Sequence, residues 1–210
     1  MTNRAEKFEQ ALLSFDRISA QNMLINEDIE TPPFQLIEQV VVPALEKIGQ
    51  GWHNGTISLS QVYMSGKICE ELVDKVLPPA SPQRINQPTV AIVTLEDYHL
   101  LGKMIIYSAL RASGVELQDW GRLDLGELVL QVKASKIQIL LISTLMLPSA
   151  LRIKEITQQL RQEGVPVKIV VGGAPFRFDD ALWQEVGADE VGKNSHDALK
   201  ITHELIKELS

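Results

Sequence analysis

The 210-residue sequence lacks several features that would point to particular classes of protein. Cys69 is its only cysteine, which excludes an intrachain disulfide framework and a cysteine-rich metal site. No apolar run approaches the roughly 20 residues that cross a bilayer, and the charged N-terminal residues lack the apolar core of a signal peptide. The net charge of −7 is opposite in sign to a nucleic-acid-binding surface. These absences favour a cytoplasmic protein that binds neither nucleic acid nor membrane.

The first part of the chain carries apolar residues at helical spacing. Helical segments are predicted over 4–25, from the Pro32-Pro33 pair to about residue 48, and from Ser58 or Ser60 to about Val76. Proline fits the first turn of a helix, whereas Pro43 inside the second segment predicts a kink or a split there. Residues 1–80 are therefore expected to form a small helical domain, a bundle of the four-helix type.

A proline-rich connector follows, and beyond it the pattern changes. Four prolines fall within residues 77–88, so a semi-rigid linker is placed at 81–88. From Thr89 the chain alternates between strand and helix, which is typical of βα units in a doubly wound parallel sheet. Strands are predicted at 89–95, 115–119, 137–142, 167–171 and 189–191, and helices at 101–113, 124–134, 149–163, 178–186 and 196–209. Residues 89–210 are thus predicted to form an α/β domain of flavodoxin-like or Rossmann-like type, with five strands in the order 2-1-3-4-5.

The turn after the first predicted strand carries Asp97 and His99, at the strand end where open α/β sheets bind ligands. This pair suits an imidazole that binds a metal through one nitrogen while the carboxylate holds the proton on the other. Gly102 allows the backbone to approach a large ligand closely. Taken alone, an Asp-x-His pair also fits an ordinary solvated turn.

Two further strand ends carry small residues. The third predicted strand is followed by Ser143 and Leu145, and the fourth by Gly172 and Gly173. In the order 2-1-3-4-5 the first, third and fourth strands are neighbours, so these loops share one rim. The glycine pair is expected to leave space there for a long, partly polar group. Each feature alone also fits a tight turn or a strand end that satisfies its own backbone.

The joint spacing of these residues resembles the signature of cobalamin-binding domains that hold the cofactor with its nucleotide base displaced from cobalt. The Asp-x-His-x-x-Gly motif is followed after 40 residues by Ser-x-Leu, and after 26 more by Gly-Gly. Residues 42–61 are similar to the helical cap of corrinoid proteins, the methyl-carrying subunits of corrinoid-dependent methyltransferase systems. The resemblance covers nearly the whole chain.

The resemblance implies cobalamin as the cofactor, bound base-off/His-on and present as methylcobalamin during turnover. His99 would ligate cobalt from below, Asp97 would accept the proton on its outer nitrogen, and Ser149 would complete the relay. The slot for the displaced tail would be lined by Gly102, Ser143, Leu145, Gly172 and Gly173. The corrin ring would lie near Asp119 and Gly121, in an Asp-x-Gly turn, and near Trp52, Leu59, Val62 and Tyr63 of the cap.

The sequence departs from the family's frequent Gly-Asp-x-His-Asp-Ile-Gly-Lys-Asn at several positions. Glu96 replaces the first glycine and adds a charge, while Leu100 and Met104 remove polar groups. Trp120 takes a place usually held by a smaller residue. Because the Asp97–His99 pair remains, cobalamin binding is still the expected outcome.

The resemblance implies a methyl carrier that is not catalytic alone, since the chain shows no separate acid/base or nucleophile set. A substrate-specific methyltransferase would load the methyl group. An acceptor methyltransferase would then pass it to tetrahydrofolate or a thiol, and a reductive activator would restore the cobalt. A cobalamin-dependent sensor and a small subunit of an adenosylcobalamin mutase are the alternatives. Sensors carry Glu-His where this chain has Val62-Tyr63, and mutase subunits usually lack the cap.

Overall fold

The computed structural model describes residues 4–26, 31–76, 86–98 and 100–210, which fall into two compact units. The helical unit contains the helices up to Val76 together with Ile105–Glu116. The sheet unit contains Pro88–Met104 and Leu117–Ser210. Most of the predicted linker at 81–88 lies outside the described residues. Within the described ranges, no helix has the length and apolar character needed to cross a membrane.

The helical unit consists of shorter helical segments than the sequence predicts. Its helices are α1 (Arg4–Leu13), α2 (Arg17–Gln21), α3 (Pro33–Leu36), α4 (Val42–His53) and α5 (Leu59–Val76), with π-helical turns at Asn22–Asn26 and Ile37–Val41. The predicted continuous helix over 4–25 is wrong. Phe15 takes a left-handed φ of 59°, and Asp16 then caps α2 by accepting from Ser19 N at 3.0 Å. Near Pro43, where a kink or a split is predicted, the π-helical turn gives way directly to α4 and the backbone stays helical at Val41 and Val42.

A buried charge cluster fastens α5 to the segment Ile105–Glu116 within the helical unit. The guanidinium of Arg111 donates to both carboxylate oxygens of Asp74, at 3.0 and 3.2 Å, and also contacts Glu116. Only 7% of the Arg111 side chain is exposed, so the two carboxylates compensate a charge that is largely removed from water. Nearby, Ser108 Oγ donates to Glu70 at 3.2 Å. These contacts fix the segment against α5 by directed polar bonds as well as by packing.

The sheet unit confirms the predicted doubly wound architecture. Its strands are β1 (Val90–Leu95), β2 (Leu117–Leu123), β3 (Ile139–Thr144), β4 (Lys168–Gly173) and β5 (Glu190–Gly192). All pairings are parallel, in the order β2-β1-β3-β4-β5. The other helices in the described part of the chain are α6 (Leu101–Ala112), α7 (Leu125–Ser135), α8 (Leu147–Gln162), α9 (Ala174–Phe178), α10 (Leu182–Glu185) and α11 (Ser195–Leu209). β1 is buried along its whole length, as expected of a central strand in a parallel sheet.

Two predicted elements of the sheet unit have the wrong bounds. The helix expected over 178–186 is replaced by α9 and α10, because Asp179 is extended and its carboxylate accepts from Ala181 N at 2.9 Å. The strand expected to end at Asp119 continues to Leu123. Asp119 and Gly121 therefore lie inside β2 rather than in a turn after it. The register with β1 shifts beside them, between Ile92 and Thr94.

The two faces of the sheet carry different side chains. One face packs against α7, α8, α9 and α10 in a single apolar core, to which the strands contribute Ala91, Val93, Leu95, Leu140, Ile142, Ile169 and Val171. At the carboxyl end of the other face, four residues are paired in register across neighbouring strands. We call them the end row: Thr94, Ser143, Gly172 and Gly192. Since paired residues of parallel strands point to the same face, the end row is a line of small side chains.

Candidate functional site

The carboxylate of Asp97 ties the loop after β1 to the start of α8. Its Oδ2 accepts from the backbone N–H of Leu145 at 2.5 Å and of Met146 at 3.2 Å, and its Oδ1 accepts from Ser149 Oγ at 3.1 Å. Asp97 is 6% exposed. Free N–H groups and the helix dipole make the beginning of a helix a favourable place for a negative charge. The structure therefore brings together the predicted pair Asp97 and Ser149, whereas His99 lies outside the described residues.

Glu96 adopts a left-handed conformation, with φ of 58°. Such a conformation costs a residue with a Cβ about 1–2 kcal/mol, whereas glycine adopts it freely. Two arginines hold the residue in place. Arg152 pairs with Glu96 Oε1 at 2.9 Å, and Arg122 Nε donates to the Glu96 carbonyl at 3.1 Å. The Arg122 guanidinium also lies 4.3 Å from the ring centre of Tyr98, a cation–π contact.

A buried lysine stabilises the Asp119–Gly121 segment of β2. Lys103 Nζ forms an ion pair with Asp119 Oδ1 and lies 3.5 Å from the Gly121 carbonyl. Asp119 Oδ1 also accepts from Gly121 N at 2.8 Å, which supports the φ of 66° at this glycine. The lysine side chain is 3% exposed and that of Asp119 is 37% exposed. The buried ammonium of Lys103 is therefore the group that needs the counter-charge, whereas the Asp119 carboxylate can still contact water.

This asymmetry predicts unequal effects from removing the two charges. Asp119→Asn is expected to lower the free energy of unfolding by about 2 kcal/mol, because it leaves a buried ammonium without its counter-charge. Lys103→Met is expected to cost less than about 1 kcal/mol, because Asp119 can turn to water. Urea unfolding of both ligand-free variants measures the difference. Equal losses would contradict the assignment of the buried charge to Lys103.

The glycine pair at the end of β4 does not leave the space that the sequence predicts. A Cβ on Gly172 would lie 2.9 Å from the carbonyl oxygen of Gly192, and a Cβ on Gly173 would lie 1.8 Å from that of Thr144. Neighbouring backbone already fills both positions, so the pair allows close approach of strands. Gly102 differs, because no atom of the described residues packs within 4 Å of its Cβ position. Open space is found at the beginning of α6 instead.

Two buried hydroxyls at the carboxyl ends of β1 and β3 have no hydrogen-bond partner among the described residues. They belong to Thr94, 1% exposed, and Thr144, 2% exposed. Thr94 belongs to the end row, next to the half-buried Ser143. Thr144 follows Ser143 and therefore faces the opposite side of the sheet. A buried hydroxyl without a partner costs about 1–3 kcal/mol, so each calls for a physical explanation.

The predicted residues of the helical unit lie around the connection between α4 and α5. Trp52 is half-buried near the end of α4, and Leu59, 39% exposed, begins α5. Val62 is buried and Tyr63 half-buried in the next turn. The connection is tight, because the Gly51 carbonyl accepts from Thr56 N at 2.9 Å and from Ile57 N at 3.2 Å. It fixes the position of Trp52 relative to the first turn of α5.

Four residues that sequence reasoning did not place in the site contribute to its geometry: Thr94, Lys103, Arg122 and Arg152. Lys103 had a signal, because a lysine follows the motif glycine in the frequent family pattern. Thr94 had a weaker one, as a lone hydroxyl in an apolar strand. Trp120, by contrast, packs beside the apolar core and donates to Gln118 Oε1 at 3.0 Å. Its size is thus accommodated by the core.

Comparison with known proteins agrees with this geometry. Residues 88–200 match the family model of the B12 binding domain, and residues 4–77 match a second B12 binding domain model. The trimethylamine corrinoid protein of Methanosarcina barkeri is 32% identical, over 95% of this chain and 96% of the relative. These matches extend over both units.

Solved structures share the fold. A cobalamin-binding protein from Desulfitobacterium hafniense DCB-2 has a TM-score of 0.80 at 24% identity, over 95% of this chain and 97% of that chain. The methanol:cobalamin methyltransferase complex of Methanosarcina barkeri has a TM-score of 0.68 at 23% identity, over 97% of this chain and 80% of that chain. The chain therefore belongs to the corrinoid protein family that carries the B12 binding domain.

Proposed function

We propose that this protein binds a corrinoid base-off/His-on and carries a methyl group between a substrate-specific methyltransferase and an acceptor methyltransferase. The observation that carries the proposal is the buried Asp97 carboxylate, held by Leu145 N, Met146 N and Ser149 Oγ. Asp97 is the first residue of the Asp-x-His-x-x-Gly motif and lies two residues before His99. When bound, the corrinoid supplies a cobalt that accepts and releases the methyl group, while the chain supplies binding and orientation.

The hydrogen bonds of Asp97 leave room for one more donor. Oδ2 accepts two N–H groups, whereas Oδ1 accepts only the Ser149 hydroxyl among the described residues. A carboxylate oxygen has two lone pairs, so Oδ1 retains one for the outer N–H of an imidazole. In the proposed site Asp97 holds that proton on His99, which leaves the other ring nitrogen free to bind cobalt. Ser149 fixes the orientation of the carboxylate during this step.

The end row suits the displaced nucleotide tail. It combines hydroxyls on β1 and β3 with glycines on β4 and β5, so these four positions carry small side chains, and Arg122 of β2 pairs with Thr94 at the edge of the row. The neighbouring Gly102 keeps open space at the start of α6. We therefore place the tail beside Ser143, Leu145, Gly172 and Gly173. Neighbouring backbone fills the Cβ positions of the two glycines, so the glycines themselves leave no hollow for the tail.

The corrin ring has candidate contacts in both units. In the sheet unit these are Asp119 and Gly121, whose positions Lys103 fixes. In the helical unit they are Trp52, Leu59, Val62 and Tyr63. The helical-unit contacts are supported by the tight connection around Gly51, because it leads directly into α5, where Leu59 is partly exposed.

Similar proteins support a methyltransferase as one of the proposed partners. One relative is a trimethylamine corrinoid protein, and one structure of the same fold is a methanol:cobalamin methyltransferase complex. A methyltransferase that demethylates a methylated amine is therefore the first donor to test. A thiol or tetrahydrofolate acceptor enzyme and a reductive activator complete the proposed system.

The test is the electron paramagnetic resonance spectrum of the cobalt(II) form of the reconstituted protein. Coupling of the unpaired electron to a histidine nitrogen is expected in the wild type and is expected to be lost in His99→Ala. The Kd for cobalamin should rise at least about tenfold, the loss of one strong contact. His203→Ala, a change to another histidine of the sheet unit, is the control and should retain the coupling.

The result that would overturn the proposal is an unchanged spectrum in His99→Ala. Failure of the wild-type protein to bind cobalamin would also overturn it. Exposure of the loaded protein to a methylamine and its methyltransferase then tests the carrier step. A requirement for an adenosyl upper ligand in place of methyl would contradict that step and favour a sensor or mutase subunit.

A further inference from the structure

We infer that the Thr94 hydroxyl binds the nucleotide tail of the corrinoid and makes the protein selective for corrinoids that carry this tail. The inference rests on the proposed function and extends it to a residue outside the Asp-x-His, Ser-x-Leu and Gly-Gly motifs. Thr94 lies between Val93 and Leu95 near the carboxyl end of β1 and is the one polar residue of this buried strand. Burying a hydroxyl at such a position costs free energy unless the hydroxyl forms a hydrogen bond.

Strand register places this hydroxyl beside the proposed tail site. Thr94 pairs with Ser143 of β3, and Ser143 pairs with Gly172 of β4. Neighbouring strands lie about 4.8 Å apart, so the side chains of Thr94 and Ser143 stand next to each other on one face. Thr94 is therefore the member of the end row nearest to β2, where Arg122 is its paired residue.

The environment of the hydroxyl leaves it unsatisfied in the ligand-free chain. Thr94 is 1% exposed, and its Oγ1 has no hydrogen-bond partner among the described residues. Valine has nearly the same shape and would avoid the cost of burying a hydroxyl. Among the described residues the threonine therefore gains no hydrogen bond for its buried hydroxyl, and a bound ligand with a polar atom can supply one.

The tail of a complete corrinoid offers suitable partners. It consists of a heteroaromatic base, a ribose and a phosphate. When the base is displaced from cobalt, the ring nitrogen that bound the metal becomes a free acceptor. A threonine O–H can donate to such an acceptor, or its oxygen can accept from a sugar hydroxyl. Cobinamide, which has the corrin ring but lacks this nucleotide, offers neither partner.

The experiment compares cobalamin with cobinamide as ligands for four forms of the full chain. These are the wild type, Thr94→Val, Thr94→Ser and Thr144→Val. Thr94→Ser keeps the hydroxyl. Thr144→Val is the matched control, because it removes an equally buried and unpartnered hydroxyl from the opposite face of the sheet. Dissociation constants come from spectral titration, and thermal unfolding of each ligand-free form reports folding.

Thr94→Val is expected to weaken cobalamin binding about tenfold and to leave cobinamide binding within about twofold, as expected for one lost hydrogen bond. Thr94→Ser should bind cobalamin within about threefold of the wild type, since the hydroxyl remains. Thr144→Val should change neither affinity. Both valine variants should unfold at a higher temperature than the wild type, because each loses a buried unpartnered hydroxyl.

Two results would overturn the inference. One is cobalamin binding by Thr94→Val at the wild-type affinity, and the other is an equal loss of cobinamide affinity, which would place the residue against the ring. In both cases the wild type still binds cobalamin, so the proposed function stands. If the wild type binds neither ligand, the proposed function fails, and the inference fails with it.

Discussion

Replacing Gly173 with alanine is expected to prevent the sheet unit from folding stably, with a loss of more than about 4 kcal/mol in the free energy of unfolding. The new Cβ would lie 1.8 Å from the carbonyl oxygen of Thr144 and 2.9 Å from its carbon. Both are backbone atoms of the neighbouring strand, so no side-chain rotation relieves the clash. The φ of 117° adds strain for a residue with a Cβ. Circular dichroism and urea unfolding measure the loss.

Gly126→Ala is the matched control for this substitution. Gly126 lies in the first turn of α7, where a new Cβ meets only Asp124 Oδ1, at 3.5 Å. Alanine at this helical position should stabilise the protein by up to about 1 kcal/mol. A Gly173→Ala variant that unfolds at the wild-type urea concentration would show that β3 and β4 can separate without loss of the fold.

Asp97→Ala is expected to lower the free energy of unfolding by about 3 kcal/mol and to abolish tight cobalamin binding. The change removes the acceptor of two backbone N–H groups and of the Ser149 hydroxyl. Each of these three donors loses a hydrogen bond to a charged carboxylate, and such hydrogen bonds stabilise the fold more than those between neutral groups. Urea unfolding of the ligand-free protein measures the first effect, and spectral titration with cobalamin measures the second.

Asp124→Ala is the control that compares Asp97 with an ordinary helix cap. Asp124 caps α7 by accepting from Glu127 N at 2.8 Å, and it is solvent-exposed. Its removal should cost about 1 kcal/mol and leave cobalamin affinity unchanged. If Asp97→Ala cost no more than Asp124→Ala, the three bonds to Asp97 would be as weak as a surface cap.

The sheet was predictable because its signals are local and mutually consistent. Short apolar runs alternate with helical patterns, and right-handed crossovers then restrict the strand order. The same order explains why Asp97 and Ser149, 52 residues apart, meet. β1 and β3 are neighbours, so the loop after one strand lies beside the helix that follows the other.

Other features had no local signal. The left-handed Phe15 breaks the first helix without a glycine or proline to announce it. β2 continues past Asp119, where the buried ammonium of Lys103, sixteen residues away, contacts the Asp119 carboxylate. The tight backbone contacts of the glycine pair arise between strands, so the sequence could indicate small residues there but not what fills their Cβ positions.

The left-handed Glu96 has a consequence for how relatives of this protein are recognised. A motif written as a string of letters requires glycine before Asp-x-His and would reject this chain at its first position. The backbone angle that glycine permits is nonetheless present, held from outside by Arg122 and Arg152. In this chain the torsion angle is thus kept by a residue with a side chain, so a search that also accepts glutamate accompanied by two such arginines would retain sequences of this kind.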